Sequence, residues 1–295
     1  MVAFVLIQLA TWLTRVLPMR VQLGLCRAIA ETGWRVLPAM HGRVRENVRH
    51  VLGPEASDDE VEHVARQQWR NYVRYMRDFA AIPHSARAEM ERIFAAAEGW
   101  QYIVDAMSEG RGLVLTSVHF GNWDLSAGVV AQHYPVNVIA DTFTSSKLDE
   151  AINKRRAILG LKVIPIEKAP RRTLSALRRG QVVAFLLDKP LPGDEGVEVE
   201  LFGEPVRIPA GAAYFAARMG APLILAFAWR DAGGAFRGKV LPPLQPAQDV
   251  QATMQRLADL VGEQIRGYPE HWYMFRRMWA AESATLPVGL EEAVA

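Results

Sequence analysis

The chain has 295 residues, of which 50% are apolar and 22% are charged, and its formal net charge is +2. This balance excludes an intrinsically disordered protein, and the length suffices for one α/β domain with a helical appendage. The single cysteine, Cys26, excludes an internal disulfide framework, and no Cys or His spacing typical of a metal site occurs. We therefore expect a globular protein that binds no metal.

The first 13 residues are almost wholly apolar, and this run ends at Arg15. It is too short to span a membrane, which takes about 20 apolar residues. It also lacks the basic start and the small residues of a secretory signal. A helix that continues to about Arg35, with Trp12, Trp34 and arginines between them, is typical of a segment in the membrane interface. A core helix of the same domain is the alternative interpretation.

Residues 1–99 are predicted to be helical, and this N-terminal region carries the candidate interface helix. Proline and glycine predict breaks between its helices, at Pro18, Pro38, Gly53-Pro54, Pro83-His84 and Gly99. Ser57 and Glu60 have the spacing of a capping box, which marks the start of a further helix.

Positive charge is gathered in clusters although the net charge is small. Any one cluster is typical of a solvated helix face, but together they indicate an anionic partner, such as coenzyme phosphates or acidic lipid headgroups. Nucleic acid is disfavoured because no nucleic-acid-binding motif accompanies the charge. The clusters are Arg43, Arg45 and Arg49; Arg66, Arg70, Arg74 and Arg77; Lys154, Arg155 and Arg156; Arg171 and Arg172; Arg178 and Arg179; and Arg276 and Arg277.

From residue 100 to 280 predicted strands alternate with predicted helices, which is typical of an α/β core with a central mixed, mostly parallel sheet flanked by helices. Val197–Leu201 alternates apolar residues with glutamate, which predicts a strand with one exposed face. Residues 281–295 are predicted to be a loosely ordered tail. The predicted strands are 113–118, 136–140, 162–166, 182–187, 197–202, 222–229 and 237–241, and the predicted helices are 101–109, 123–133, 147–159, 171–179, 209–219 and 248–267.

The most informative segment, His119-Phe120-Gly121-Asn122-Trp123-Asp124, lies between a predicted buried strand and a predicted helix. A loop there lies at the carboxyl end of a strand, where open α/β sheets place their ligands. A carboxylate that accepts a bond from one imidazole nitrogen leaves the other nitrogen free as a base. His119 and Asp124 are therefore candidate catalytic residues, and a chance spacing in a structural loop is the alternative.

No serine or cysteine nucleophile accompanies this pair, and the G-x-S-x-G motif of α/β-hydrolases does not occur. The pattern therefore predicts that the substrate supplies the nucleophile. A histidine that takes the proton from a substrate hydroxyl, which then attacks a bound acyl group, needs only a carboxylate partner and an oxyanion site.

Further blocks follow in a fixed order up to residue 279, and with this segment they resemble the bacterial lysophospholipid acyltransferase superfamily. Within it the chain is similar to the lipid A late acyltransferases and the phosphatidylinositol mannoside acyltransferases. The blocks are His119 to Asp124; Leu148-Asp149 through Arg156 to Gly160; Leu177-Arg178-Arg179-Gly180 before Asp188; Phe202-Gly203-Glu204-Pro205 with Ile208-Pro209-Ala210-Gly211; and Pro269-Glu270-His271-Trp272 through Arg277.

The resemblance implies a role for each matching residue. His119 is expected to be the general base, and Asp124 is expected to orient it and to stabilise the imidazolium. Arg156 is expected to contact a phosphate or headgroup, with a solvated helix arginine as the alternative. Asp188 is expected to hold acceptor hydroxyls or an arginine, with a helix cap or turn residue as the alternative. Gly121 and Asn122 are expected to steady an oxyanion with their backbone N–H groups.

The resemblance also implies a membrane-associated O-acyltransferase without a cofactor or a covalent intermediate. Its donor substrate would be acyl-CoA or acyl carrier protein, and its acceptor would be a lipid A precursor-like or phosphatidylinositol mannoside-like glycolipid. The expected location is the cytoplasmic face of the bacterial cell membrane, with peripheral or monotopic attachment. Two alternatives stay open: a lipid or thioester hydrolase that uses the same pair on water, and a non-catalytic lipid-binding membrane protein.

Overall fold

The computed structural model describes residues 2–191, 195–244 and 249–279, so the predicted tail, 281–295, lies outside the described residues. The helices in these ranges are α1 (Val2–Val16), α2 (Met19–Val36), α3 (Pro38–Leu52), α4 (Asp58–Ala95), α5 (Trp100–Ser108), α6 (Trp123–Ala131), α7 (Ser146–Ile158), α8 (Ala169–Arg178), α9 (Gly211–Met219) and α10 (Val250–Gly267). The strands are β1 (Ala97–Glu98), β2 (Leu113–Ser117), β3 (Val136–Ala140), β4 (Leu161–Pro165), β5 (Val182–Leu186), β6 (Val197–Leu201), β7 (Glu204–Ile208), β8 (Leu223–Arg230) and β9 (Phe236–Val240).

Within the described ranges, seven strands form a central sheet in the order β1-β9-β8-β2-β5-β3-β4. The five strands from β8 to β4 are parallel, and β9 runs antiparallel to β8. The prediction of a mixed, mostly parallel sheet flanked by helices is confirmed. The central strands β2 and β5 are apolar because both faces of a covered parallel sheet are buried.

Two apolar layers cover the sheet. On one face α8, α9 and α10 pack together with the hairpin of β6 and β7, and on the other face α5, α6, α7 and the second half of α4 pack. A third apolar cluster joins α2, α3 and the first half of α4 to Tyr273 and Phe275 near the chain end. Helix α4 therefore connects the N-terminal helices with the sheet.

Helix α4 continues through Pro83, so the predicted break at Pro83-His84 is wrong. Proline lacks the N–H of a helical hydrogen bond, which disfavours an interior position. Here apolar side chains on both sides of Pro83, including Phe79, Ile82, Met90 and Ile93, are buried in the same layer. Burial of both halves against one surface keeps the helix continuous. The predicted capping box at its start is confirmed, with Ser57 and Glu60 each bonding the other's backbone N–H.

Strand β7 was not predicted, because Pro205 and the charged residues Glu204 and Arg207 argue against a strand. It pairs antiparallel with β6 in a separate two-stranded sheet, where a proline is tolerated at an edge. The alternating burial along β6 confirms the predicted exposed face.

Helices α1 and α2 carry most of the large apolar side chains that are exposed in the described chain. Along α1, Ile7 and Thr14 are buried against the protein while another stripe faces solvent. Trp34, by contrast, is buried: it is 6% exposed, and its indole N–H donates to Glu62. The exposed apolar residues of these helices are Val2, Val5, Leu6, Leu9, Trp12, Val16, Met19, Val21, Leu23, Leu25, Ile29 and Val36. In the described chain, every helix is too short or too polar to cross a bilayer.

A buried ionic network attaches α4 to the end of β8. A terminal guanidinium nitrogen of Arg230 lies 3.0 Å from Asp78 and 2.9 Å from Glu89. The Asp78 carboxylate also accepts from Arg77 at 2.9 Å. Asp78 and Glu89 are each 5% exposed. Glu89 likewise has a second partner, Arg92, at 2.9 Å. Arg230 is the cation that links both carboxylates of α4 to β8.

We predict that Arg230→Met lowers the free energy of unfolding by about 1.5–3 kcal/mol, because Asp78 and Glu89 lose this donor and keep Arg77 and Arg92 as their cationic partners. Chemical denaturation measures the change. Arg87→Met removes an exposed ion pair with Glu91 and serves as the control, with no measurable effect expected. Equal effects of the two substitutions would contradict the importance of the buried network.

Candidate active site

The candidate site lies where two neighbouring strands of the sheet end. In the parallel pair β2 and β5, Ser117 is aligned with Leu186, and Leu187 donates its N–H to the Ser117 carbonyl at 3.0 Å. His119 and Asp188 each follow two residues after an aligned position. The equal offset places the imidazole and the carboxylate side by side at the carboxyl edge, as expected for a ligand site in an open α/β sheet.

Asp188 holds His119 through both the ring and the backbone. The ring nitrogen Nδ1 lies at hydrogen-bond distance from Asp188 Oδ1, 2.8 Å, and the His119 backbone N–H donates to Asp188 Oδ2 at 2.9 Å. Burial by itself would raise the pKa of Asp188, but the charge and N–H groups of His119 outweigh it and hold that pKa below its usual value. An ionised carboxylate on Nδ1 leaves Nε2 as the basic nitrogen, and 27% of the His119 side chain is exposed.

This arrangement corrects the expected partner of His119. Asp124 lies in the first turn of α6, where its carboxylate faces α4 and α7. It accepts from the Tyr75 hydroxyl at 2.7 Å and from Arg156 Nε at 3.2 Å. The residue that lies against the imidazole ring from α6 is Trp123, with ring centroids 5.2 Å apart. The carboxylate that orients His119 is therefore Asp188, and Asp124 forms a second cluster beside it.

Tyr75 also belongs to this second cluster, and the sequence did not predict that role. It lies on α4, stacks on Trp123 with ring centroids 4.1 Å apart, and is buried. Burial and the neighbouring Asp124 carboxylate raise the pKa of Tyr75 well above its usual value, so its hydroxyl stays a hydrogen-bond donor. A tyrosine in a helical apolar pattern gives no sequence signal that separates this role from core packing.

The backbone N–H groups of Gly121 and Asn122 are already used, which corrects their expected oxyanion role. Gly121 donates to the His271 carbonyl at 2.9 Å, and Asn122 donates to the Ala228 carbonyl at 2.8 Å. The Asn122 side chain caps α6 by accepting from Leu125 N–H. Both residues therefore fix the shape of the loop that presents His119.

A groove lies next to this loop, between the sheet and helices α6 and α7. Trp123, Asp124 and Arg156 border it, and its unfilled space measures about 570 Å³ including the opening to solvent. Most of its wall is apolar, with Leu115, Val138, Ile139, Ala184, Phe185 and Ala226 among the lining residues. The site thus combines an imidazole held by a carboxylate, the Asp124–Arg156 ion pair and an apolar groove. Among the described residues no group of His, Cys, Asp and Glu side chains is arranged to hold a metal ion.

Comparisons with known proteins place the chain in a family. Residues 1–281 match the family described as bacterial lipid A biosynthesis acyltransferase. The chain belongs to this family. It is 31% identical over 264 residues to the phosphatidylinositol mannoside acyltransferase of Mycobacterium tuberculosis (strain ATCC 25618 / H37Rv), covering 85% of this chain and 82% of that protein. It is 30% identical over 249 residues to the enzyme of the same name from Mycolicibacterium smegmatis (strain ATCC 700084 / mc(2)155), covering 81% and 80%.

The resemblance found in the sequence is confirmed, and this member of the lipid A biosynthesis acyltransferase family is a lipid acyltransferase. The match extends beyond the α/β core, because it includes the N-terminal helices that connect to the sheet through α4. The identity of the lipid and the roles of single residues are separate questions, which the site geometry addresses.

We predict that Gly121→Ala destabilises the protein far more than Gly203→Ala. Both glycines have positive φ, +58° and +88°, but a Cβ on Gly121 would overlap the Ala228 carbonyl while one on Gly203 meets open space. Backbone strain alone costs about 1–2 kcal/mol, whereas the overlap must also displace β8. Thermal unfolding of both variants measures the difference. Similar unfolding midpoints for the two variants would contradict the close contact between Gly121 and the Ala228 carbonyl of β8.

Proposed function

We propose that the protein transfers a fatty acyl chain from a thioester donor to a hydroxyl of a glycolipid at a membrane surface, with His119 as general base. The observation that carries this proposal is the hydrogen bond between the Asp188 carboxylate and His119 Nδ1, next to an apolar groove. No protein nucleophile is needed, because the acceptor hydroxyl attacks the thioester directly.

In the proposed reaction Nε2 of His119 takes the proton from the acceptor hydroxyl as its oxygen attacks the thioester carbonyl carbon. The carbon–sulfur bond then breaks, and the proton on Nε2 passes to the departing sulfur. The products are an ester and a free thiol, so the imidazole ends as it began. Asp188 stabilises the positive charge that the imidazole carries between these two steps.

Arg156 and Asp124 would shape the other side of the reaction. Nε of Arg156 donates a hydrogen bond to Asp124. The two terminal nitrogens of Arg156 have no hydrogen-bond partner among the described residues. A guanidinium with free terminal N–H groups suits the oxygens of a donor phosphate or an acceptor headgroup. Asp124 holds this guanidinium at the groove mouth, which gives it an indirect part in catalysis.

The groove would hold the acyl chain of the donor. Its wall is mostly apolar, and each methylene moved from water into such a slot contributes about 0.8 kcal/mol to binding. The donor would be acyl-CoA or acyl carrier protein, and no cofactor takes part. The curated relatives are named phosphatidylinositol mannoside acyltransferases, which favours a mannoside-bearing phospholipid over a lipid A precursor as the acceptor.

The N-terminal helices would place the site at the cytoplasmic face of the membrane. The exposed apolar stripe of α1 and α2 is accompanied by the exposed cations Arg15, Arg20, Arg27 and Arg35. Apolar side chains that enter the lipid boundary, together with arginines that meet acidic headgroups, are typical of peripheral or monotopic attachment. The acceptor lipid would then reach His119 without leaving its membrane.

We predict that His119→Ala lowers the rate of acyl transfer at least 100-fold, because the acceptor hydroxyl loses its base. The assay follows transfer from a radiolabelled acyl-CoA to phosphatidylinositol mannoside, with thermal unfolding to show that the fold is kept. His84→Ala is the control, because His84 is exposed and is expected to leave the rate unchanged.

Two results of this assay would contradict the proposal. Unchanged transfer by His119→Ala would remove the imidazole from the mechanism. Rapid release of free fatty acid that is unaffected by the acceptor would instead indicate a hydrolase that acts on water.

We predict that Trp12→Glu weakens binding to vesicles that contain acidic phospholipid by about tenfold or more, since it places a charge in the lipid-facing stripe. Trp12 is 58% exposed, so the fold should be unaffected, whereas deletion of α1 would also remove the buried Ile7. Tyr214→Glu adds the same charge at an exposed position on α9 and is expected to bind normally. Co-sedimentation with vesicles measures both, and equal binding by the two variants would disprove the assignment.

A further inference from the structure

The carboxylate that holds His119 has a third donor, which comes from the end of the described chain. Trp272 donates its indole N–H to Asp188 Oδ2 at 2.9 Å. The same oxygen accepts the backbone N–H of His119 at 2.9 Å. Trp272 is fully buried and Asp188 is 3% exposed, so water does not replace this bond. A buried carboxylate with both oxygens occupied cannot rotate without losing a donor.

The segment around Trp272 also clamps the backbone of the His119 loop. Tyr273 donates its N–H to the His119 carbonyl at 2.7 Å, and Gly121 donates to the His271 carbonyl at 2.9 Å. Phe120 and Trp272 form an antiparallel bridge between these two bonds. The loop and the segment thus meet as a short piece of sheet, and the indole extends from it to Asp188.

We propose that Trp272 is a positioning residue, whose indole N–H fixes the Asp188 carboxylate so that it holds His119 in one orientation. This inference rests on the proposed function of His119 as a base. The hydrogen bond to Oδ2 has two effects. It keeps Oδ1 directed at Nδ1, and it withdraws negative charge from the carboxylate.

The first effect gives a measurable sign. Without the indole N–H, the Asp188 carboxylate is free to turn away from Nδ1, so the neutral ring is no longer held with its proton on Nδ1. A part of the His119 population then carries its proton on Nε2, and that part cannot take the proton of the acceptor hydroxyl.

The test is Trp272→Phe, which removes the indole N–H donor and keeps most of the ring volume. Trp229→Phe is a matched control, because Trp229 is 6% exposed, lies in the same apolar cluster, and its indole nitrogen has no partner among the described residues. We expect Trp272→Phe to lower kcat about tenfold, as for loss of one hydrogen bond to a charged group, with KM for both substrates within twofold. Trp229→Phe is expected to keep the wild-type kcat.

A second readout does not depend on acyl transfer. Two-bond ¹H–¹⁵N spectra of protein labelled with ¹⁵N at histidine are expected to show a larger fraction of neutral His119 with its proton on Nε2 in Trp272→Phe than in wild type or Trp229→Phe. An unchanged tautomer would overturn the inference, and so would equal losses of rate and stability in both variants. If wild-type protein transferred no acyl group but the tautomer still changed, the proposed function would fail while the Trp272 contact would stand.

Discussion

The account depends on one contact, between the Asp188 carboxylate and Nδ1 of His119. Only this bond determines which imidazole nitrogen is free, and the free nitrogen determines what chemistry the site can do. The contact arises from the register of two parallel strands, because β2 and β5 end at the aligned residues Ser117 and Leu186, and His119 and Asp188 each lie two residues further along the chain. The carboxylate and the imidazole therefore lie side by side because of the backbone register of the sheet.

Around this contact the molecule arranges two kinds of support. On one side, backbone hydrogen bonds join the segment from His271 to Tyr273 to the His119 loop, so this segment is fixed to the sheet core. On the other side α4 contributes Tyr75 to the Asp124 cluster and Asp78 to the Arg230 network. Because α4 also packs against α1 and α2, the helices with the exposed apolar stripe share one long element with the site. Helix α4 thereby links the exposed apolar stripe to the candidate site.

The sequence predicts the sheet well because its strands are apolar runs between glycine and proline, and the loop that carries His119 follows from the same pattern. It does not predict the partner of His119, since Asp124 is close in the chain whereas Asp188 is 69 residues away and becomes a neighbour only through the strand order. The sequence also does not predict that Tyr75 bonds Asp124, or that the N–H groups of Gly121 and Asn122 are already bonded. These contacts too join residues that are far apart in the chain. Pro83 shows the opposite error, in which a strong local signal is overruled by burial on both sides of it.

The tautomer of His119 tests the central claim most directly. In two-bond ¹H–¹⁵N correlation spectra recorded above the pH at which the ring loses its charge, each imidazole nitrogen shows whether it carries the proton. The account predicts that Nδ1 carries it, toward Asp188, and that Nε2 is unprotonated. A neutral His119 with its proton on Nε2 would contradict the account, because the nitrogen that faces the substrate could not then accept a proton.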